Sequence, residues 1–273
     1  MSRLLGPLAD VLGRWGAGFW SYADPRTEHL PMSRSPLPVL AIVGAYLYFS
    51  LSYGPRFMKN RQPFKLKRVM LVYNAVQVVW CAYLVEECLR VGWGGTYNWI
   101  CEPVNTAKTP RSLQAAQVCY QFLLLKIVDL LDTVFMILRK NARQVSFLHV
   151  YHHSLMVFVG WLCVKVAPGE HHTFLGFVNL IVHTIMYSYY FYSLLNPDAK
   201  SAQWKRYITL IQFVQFFLIG AHEIISLFHP DCDVIRPFTF GIIVQSAFMT
   251  ALFKDFYHKA YGQGRNKKEK LNS

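Results

Sequence analysis

Residues 147–167 read FLHVYHHSLMVFVGWLCVKVA, an apolar run of bilayer-crossing length that opens with three histidines. His149, His152 and His153 stand at i, i+3 and i+4, so on a helix their rings leave from one face. A helix of about 20 apolar residues spans the roughly 30 Å hydrocarbon core of a membrane. Ionisable side chains at that depth are costly and turn toward the protein interior, a partner or a water-filled cavity. A lone histidine there would be an ordinary hydrogen-bonded packing residue. Three on one face exceed that role, so the segment predicts both a membrane helix and a polar site near one of its ends.

The same block length recurs on either side. Apolar stretches at 37–53, 67–89, 112–138, 173–195, 205–228 and 237–257 bring the expected spans to seven, in a single all-α membrane domain over 1–273. The first is the shortest and the third carries charges. Only 16% of the residues are charged and 53% are hydrophobic, whereas a soluble domain is about a quarter charged. Residues 1–36 read as a mixed lead-in without the basic-then-apolar pattern of a cleaved signal peptide. Residues 258–273 read as a basic tail.

A net charge of +13 raises the question of nucleic acid, and its distribution answers it. Of the 28 Lys and Arg, 18 fall in 54–68, 139–146, 200–206 and 254–273, which are alternate connections between spans. The opposite connections hold four: Arg90, Lys108, Arg111 and Arg236. This is the positive-inside pattern, with the N-terminus lumenal and the C-terminus cytosolic, and no nucleic acid is expected. Cys101 and Cys232 then fall in two lumenal connections, where an oxidising compartment permits a disulfide between them. The cysteines within spans, Cys81, Cys88, Cys119 and Cys163, read as small packing residues.

Polar residues inside the spans follow helical spacing. Lys126, Asp129 and Asp132 form one stripe, with Thr133 beside it, and Lys126–Asp129 can neutralise each other. Asn179, His183 and Tyr187 form a second stripe; Thr209, Gln212 and Gln215 form a third. Tyr189 and Tyr190 read as interface residues, and His222 with Glu223 as a structural pair. At 1.5 Å per residue, Asp132 and His152 lie about 9 Å from the cytosolic ends of their helices and His183 about 18 Å. Four polar faces therefore converge in the cytosolic half of the membrane. Such a site suits a molecule with a charged head and a long hydrocarbon tail.

Three chemistries compete for it. Histidine-box desaturases and hydroxylases hold two irons with roughly eight imidazoles, whereas this chain has one box, enough with the aspartates for a single metal only. A transporter fits seven spans, but no span carries the Gly/Pro interruption of mid-membrane sites. Acyl transfer uses a neutral imidazole against a thioester, with Asp129 or Asp132 fixing its tautomer.

The motifs Lys126-x-x-Asp129-x-x-Asp132-Thr133, His149-x-x-His152-His153, Asn179-x-x-x-His183-x-x-Met186-Tyr187-x-Tyr189-Tyr190 and Thr209-x-x-Gln212-x-x-Gln215 resemble, in order and spacing, those of the very-long-chain fatty acid elongases. The resemblance implies a 3-ketoacyl-CoA synthase of the endoplasmic reticulum that condenses a long-chain acyl-CoA with malonyl-CoA. It implies seven helices, six of them an inverted-repeat barrel around an acyl tunnel. By carry-over, His152 would take the acyl chain and His183 would act beside it. His149, His153, Asp129 and Asp132 would position these rings, and Lys126, Asn179, Tyr187, Gln212 and Gln215 would support them. Arg139, Lys140, Lys205, Arg206 and Lys254 are candidates for CoA phosphates. No metal and no cofactor are expected. The partners implied are the two CoA esters and the bilayer, with a second copy and other enzymes of the elongation cycle as further candidates. The tail Lys267-Lys268-Glu269-Lys270 resembles a dilysine retrieval signal, although its lysines are not at the usual distance from the terminus.

Overall fold

Every apolar block becomes helix in the computed structural model, which describes residues 21–262 apart from 104, 142, 143, 197, 199 and 200. The start of the lead-in, Arg143, Lys200 and the 267–270 signal lie outside the described residues. The helices are α1 (Leu37–Met58), α2 (Lys67–Trp93), α3 (Pro110–Asp129), α4 (Leu131–Leu138), α5 (Phe147–Val166), α6 (Thr173–Leu195), α7 (Ala202–Phe228) and α8 (Arg236–Tyr257). Six of the described helices are long and apolar enough to cross a membrane. The seventh pass is α3 followed by α4, and here the expectation of an unbroken span over 112–138 is corrected. Leu130 N–H donates to Ile127 O at 3.2 Å, three residues back instead of four, and this tightened turn separates the two aspartates.

The membrane character is written in the faces of α2. Its buried side carries Tyr73, Asn74, Gln77 and Cys81, whereas its exposed side carries Val69, Val72, Val76 and Val79. Polar inside and apolar outside is the reverse of a water-soluble helix, and hydrocarbon is the surroundings that this order fits. Phe217, Ile225, Phe240 and Val244 continue the exposed apolar surface on α7 and α8.

Helix ends are locally encoded. Thr109 and Ser112 make a reciprocal capping box around Pro110, the first residue of α3. Ser146 accepts from His149 N–H at 3.2 Å and Ser201 accepts from Trp204 N–H at 3.1 Å, starting α5 and α7. In α1 the turn over Phe49–Tyr53 widens just ahead of Pro55, whose ring nitrogen has no proton to donate. That helix consequently runs past the expected end at 53.

Six passes form a ring. The α2 helix packs on α3 and α6, α3 on α5, α6 on α7, and α7 on α8. Tyr151 of α5 donates to Gln245 of α8 at 2.8 Å and completes the circuit, while α1 lies outside against α5. The three-pass units α2–α5 and α6–α8 enter from opposite ends, as in the inverted barrel that the resemblance implies. A Cβ on Gly160 would sit 3.4 Å from Leu123 Cα, so α5 approaches α3 closely at this point.

The two ends of the ring differ. One gathers the basic connections. The other holds the Cys101–Cys232 disulfide, with a Cα–Cα distance of 5.7 Å. It also holds the described part of the lead-in, where Arg26 and Asp24 form a buried 2.6 Å ion pair. Arg26 further donates to Ser112 O at 3.1 Å and Pro168 O at 2.8 Å, tying the lead-in to the start of α3 and to the α5–α6 connection.

Candidate active site

Asp129, at the end of α3, gathers three helices. Its carboxylate accepts from Gln77 of α2 at 2.6 Å, Lys126 of its own helix at 2.8 Å and Tyr187 of α6 at 3.2 Å. The Lys126–Asp129 pair is the one that three-residue spacing predicts, and it is buried. His183 Nδ1 lies 3.3 Å from Lys126 Nζ and 3.5 Å from Asp129 Oδ2. An ammonium group has no lone pair, so in the shorter contact Lys126 donates and Nδ1 accepts. The proton of the neutral His183 ring then resides on Nε2. Beyond the turn at Leu130, Asp132 accepts from Tyr187 at 2.7 Å. Tyr73 stands 3.4 Å from the Tyr187 hydroxyl and accepts from Gln77 at 3.0 Å.

The histidine box begins α5 and uses its three rings differently. His149 Nε2 lies 2.9 Å from the Thr133 hydroxyl, which lies 2.8 Å from that of Tyr46. His149 is therefore anchored toward α4 and α1. The His153 ring centroid is 4.2 Å from that of His149. His152 faces inward, its buried Nδ1 without a hydrogen-bond partner among the described residues. Asp129 stands beside His183, one of the two rings that the aspartates are expected to position, and Asp132 meets Tyr187; among the described residues neither aspartate is hydrogen-bonded to a histidine of the box.

His152 also borders an apolar cavity with Met156, Val159, Phe216 and Ile242. A second cavity shares Val159, Leu175, Phe238 and Ile242 with the first and reaches Trp93 and His172 at the disulfide end. Together they trace an apolar route from the box along the ring interior. Gln215 borders the first cavity, with its carbonyl oxygen unpartnered. Gln212 turns to Met186 Sδ at 3.7 Å, and Asn179 is buried with Oδ1 unpartnered. The five cations Arg139, Lys140, Lys205, Arg206 and Lys254 are exposed at the basic end, where Lys140 donates to Lys59 O at 3.2 Å and Arg206 to Tyr257 Oη at 2.5 Å.

Sequence reasoning missed Tyr73, Gln77 and Tyr46. The first two were legible as an i, i+4 polar pair inside an apolar block, the same signal that singles out Asn179 and His183. It also misassigned Glu223. Instead of pairing with His222, Glu223 Oε2 lies 3.0 Å from His172 Nδ1, and His222 stacks on His171 with ring centroids 4.0 Å apart. In this cluster, burial and then the neighbouring Glu223 push the Glu170 carboxyl up to about 7. Burial works to lower His172, but Glu170 and Glu223 outweigh it and raise the imidazole above its ordinary range.

Residues 31–270 match the family model described as ELO: GNS1/SUR4 family. The chain belongs to the ELO family. Very long chain fatty acid elongase 1 of Mus musculus is 40% identical over 246 residues, covering 89% of this chain and 88% of that protein. Very long chain fatty acid elongase 7 of Drosophila melanogaster is 40% identical over 240 residues, covering 88% and 73% respectively. Very long chain fatty acid elongase 4 of Homo sapiens is 35% identical over 250 residues, covering 91% and 79%. This ELO-family chain is accordingly a multi-pass membrane protein of fatty acid elongation, and the polar site described above lies inside the region matched.

Proposed function

We propose that the protein is the condensing enzyme of elongation, joining a long-chain acyl-CoA to malonyl-CoA to give 3-ketoacyl-CoA, carbon dioxide and CoA. The observation that carries this reading is the pairing of an uncommitted ring, His152, with an anchored one, His183, at the mouth of an apolar route. The acyl tail occupies that route. A His152 nitrogen attacks the thioester carbon, a C–N bond forms, the C–S bond breaks, and the imidazole proton leaves with CoA. Malonyl-CoA then loses carbon dioxide, and the electron pair of the broken C–C bond becomes an enolate. The enolate carbon attacks the acyl carbonyl, the C–N bond breaks, and His152 regains a proton from solvent. His183 Nε2–H, fixed by Lys126 at Nδ1, donates to the enolate or carbonyl oxygen. Tyr187, Asp132 and Gln77 hold Asp129 and hence that ring, and His149 and His153 fix the start of α5. Asn179, Gln212 and Gln215 shape the interior, while Arg139, Lys140, Lys205, Arg206 and Lys254 receive CoA phosphates.

In this reading the whole chain acts as one domain in the endoplasmic reticulum membrane. The basic end and C-terminus are cytosolic, and the disulfide end and N-terminus are lumenal. Support comes from the charge asymmetry and from Cys101–Cys232 lying opposite the basic end. The test is intact mass of purified protein after rapid mixing with acyl-CoA, with and without malonyl-CoA. An acyl adduct that is discharged by malonyl-CoA and missing in His152→Ala is the expected result. Product formed without any adduct overturns the covalent step. Oxygen-dependent turnover without malonyl-CoA overturns the condensing reaction.

A further inference from the structure

The proposed chemistry leaves a second buried polar cluster unused, at the disulfide end of the ring. Glu170, His171 and His172 come from the α5–α6 connection, and His222 and Glu223 from α7. All five are buried, at 0%, 0%, 2%, 7% and 1% exposure. Only part of their hydrogen-bonding capacity is used. His171 Nδ1, both ring nitrogens of His222, Glu223 Oε1 and Glu170 Oε2 have no hydrogen-bond partner among the described residues. Buried polar atoms are ordinarily satisfied, and a concentration of exceptions calls for a bound group.

We propose that His171, His222 and Glu223 supply three ligands to a divalent transition-metal cation of the zinc class. One ligand atom from each lies within 4.8 Å of the others. A tetrahedral zinc with bonds of about 2.1 Å sets its ligands about 3.4 Å apart, so binding would turn the His171 and His222 rings out of their stack, in which the planes are 10° apart. His171 Nδ1, one of the two His222 ring nitrogens and Glu223 Oε1 each offer a lone pair, and one cation satisfies these three together. Two imidazoles with a carboxylate match zinc and its transition-metal neighbours, whereas magnesium and calcium select oxygen alone. The surroundings are those of a metal site. His172 Nδ1 at 3.0 Å from Glu223 Oε2 orients the carboxylate and leaves Oε1 for the cation. Phe174 and Trp93, with ring centroids 4.0 Å and 5.5 Å from that of His222, shield it from solvent.

The site would clamp the α5–α6 connection to α7 beside the disulfide loop, to which His171 N–H already donates at Glu102 O, 3.0 Å away. Since His172 and Trp93 border the far end of the apolar route, the cation would also stiffen its closed end. This departs from the sequence-based expectation of no metal. It does not depend on the condensing reaction, because its readouts are metal content and melting temperature.

The experiment purifies the full chain without a polyhistidine tag or chelating resin and measures metals by mass spectrometry. About one equivalent of zinc per chain is expected in the wild type and in His152→Ala, with loss in His171→Ala and His222→Ala. Should those two variants fail to fold, wild-type protein stripped with dipicolinate is titrated with zinc. A melting temperature rising by about 5 °C and levelling near one equivalent supports the site. Less than about 0.1 equivalent in the wild type, with no thermal response to added zinc, overturns it. Zinc kept by His222→Ala but lost from His152→Ala also overturns it, by assigning the ion to the box.

Discussion

Replacing Asp129 with asparagine removes one charge and almost no volume, yet it strands the ammonium of Lys126. Both side chains are 2% exposed and 2.8 Å apart. Removing one member of such a buried pair costs about 3–5 kcal/mol, because the remaining charge is neither hydrated nor compensated. At about 2–4 °C per kcal/mol for a chain of this size, the melting temperature falls by about 6–20 °C. The double variant Lys126→Met with Asp129→Leu removes both charges, and apolar replacements for a buried pair are often neutral. It still orphans the Gln77 amide and part of the Tyr187 hydroxyl, at about 1–3 kcal/mol each. It therefore regains only part of the lost stability. Activity does not return with it, since His183 has lost the donor at Nδ1. The assay is thermal unfolding in detergent beside malonyl-CoA-dependent elongation, both read on the same preparations. If Asp129→Asn melts within about 2 °C of the wild type, the pair is not the buried contact described, and the tautomer argument for His183 fails with it.

Four further outcomes follow from the same geometry. His152→Leu exchanges a buried ring with an unpartnered Nδ1 for an apolar side chain. It is expected to raise the melting temperature by about 2–8 °C while abolishing elongation; a lower temperature would show that the ring is already engaged. His183→Ala is expected to reduce elongation at least about 100-fold, as measured by incorporation of labelled malonyl-CoA, and unaltered turnover would remove His183 from the site. Cys101→Ser with Cys232→Ser opens a link between residues 131 apart in sequence, at about 2–5 kcal/mol. Reductant should lower the wild-type melting temperature by a similar amount and leave the double variant unchanged. Val159 borders both cavities, so Val159→Trp should shift products toward shorter chains; an unchanged product distribution refutes the continuous route.

The elements that sequence made legible are those governed by local rules. Span positions follow from apolar length and the polar stripes from helical spacing. Contacts between helices were legible only where two stripes were already suspected, as with Asp129 and His183. Gln77 was visible only as half of an i, i+4 pair with Tyr73, and its role appears when α2 is set against α3. Glu223 was assigned to its sequence neighbour. A one-dimensional reading pairs adjacent charges, whereas a helix turns adjacent residues about 100° apart. The broken turn at Leu130 had no Pro or Gly to announce it.

Hydrogen-bond satisfaction is uneven across the site, and the unevenness itself argues for where chemistry occurs. Asp129 takes three donors, Lys126 contacts two groups, Tyr187 reaches both aspartates, and His149 is held by Thr133. Such a network is stiff because moving any member breaks several contacts at once. His152 stands beside it with a free ring nitrogen, in a cavity whose other walls are mostly apolar. A buried polar atom left unpaired weakens the fold, and nearby replacements could have removed that cost, as the expected stabilisation by leucine illustrates. In the proposed reaction, a frame held by several contacts around one unpartnered imidazole would lower reorganisation when a thioester arrives. On this argument His183 is useful because it cannot move, and His152 because it has not yet been used.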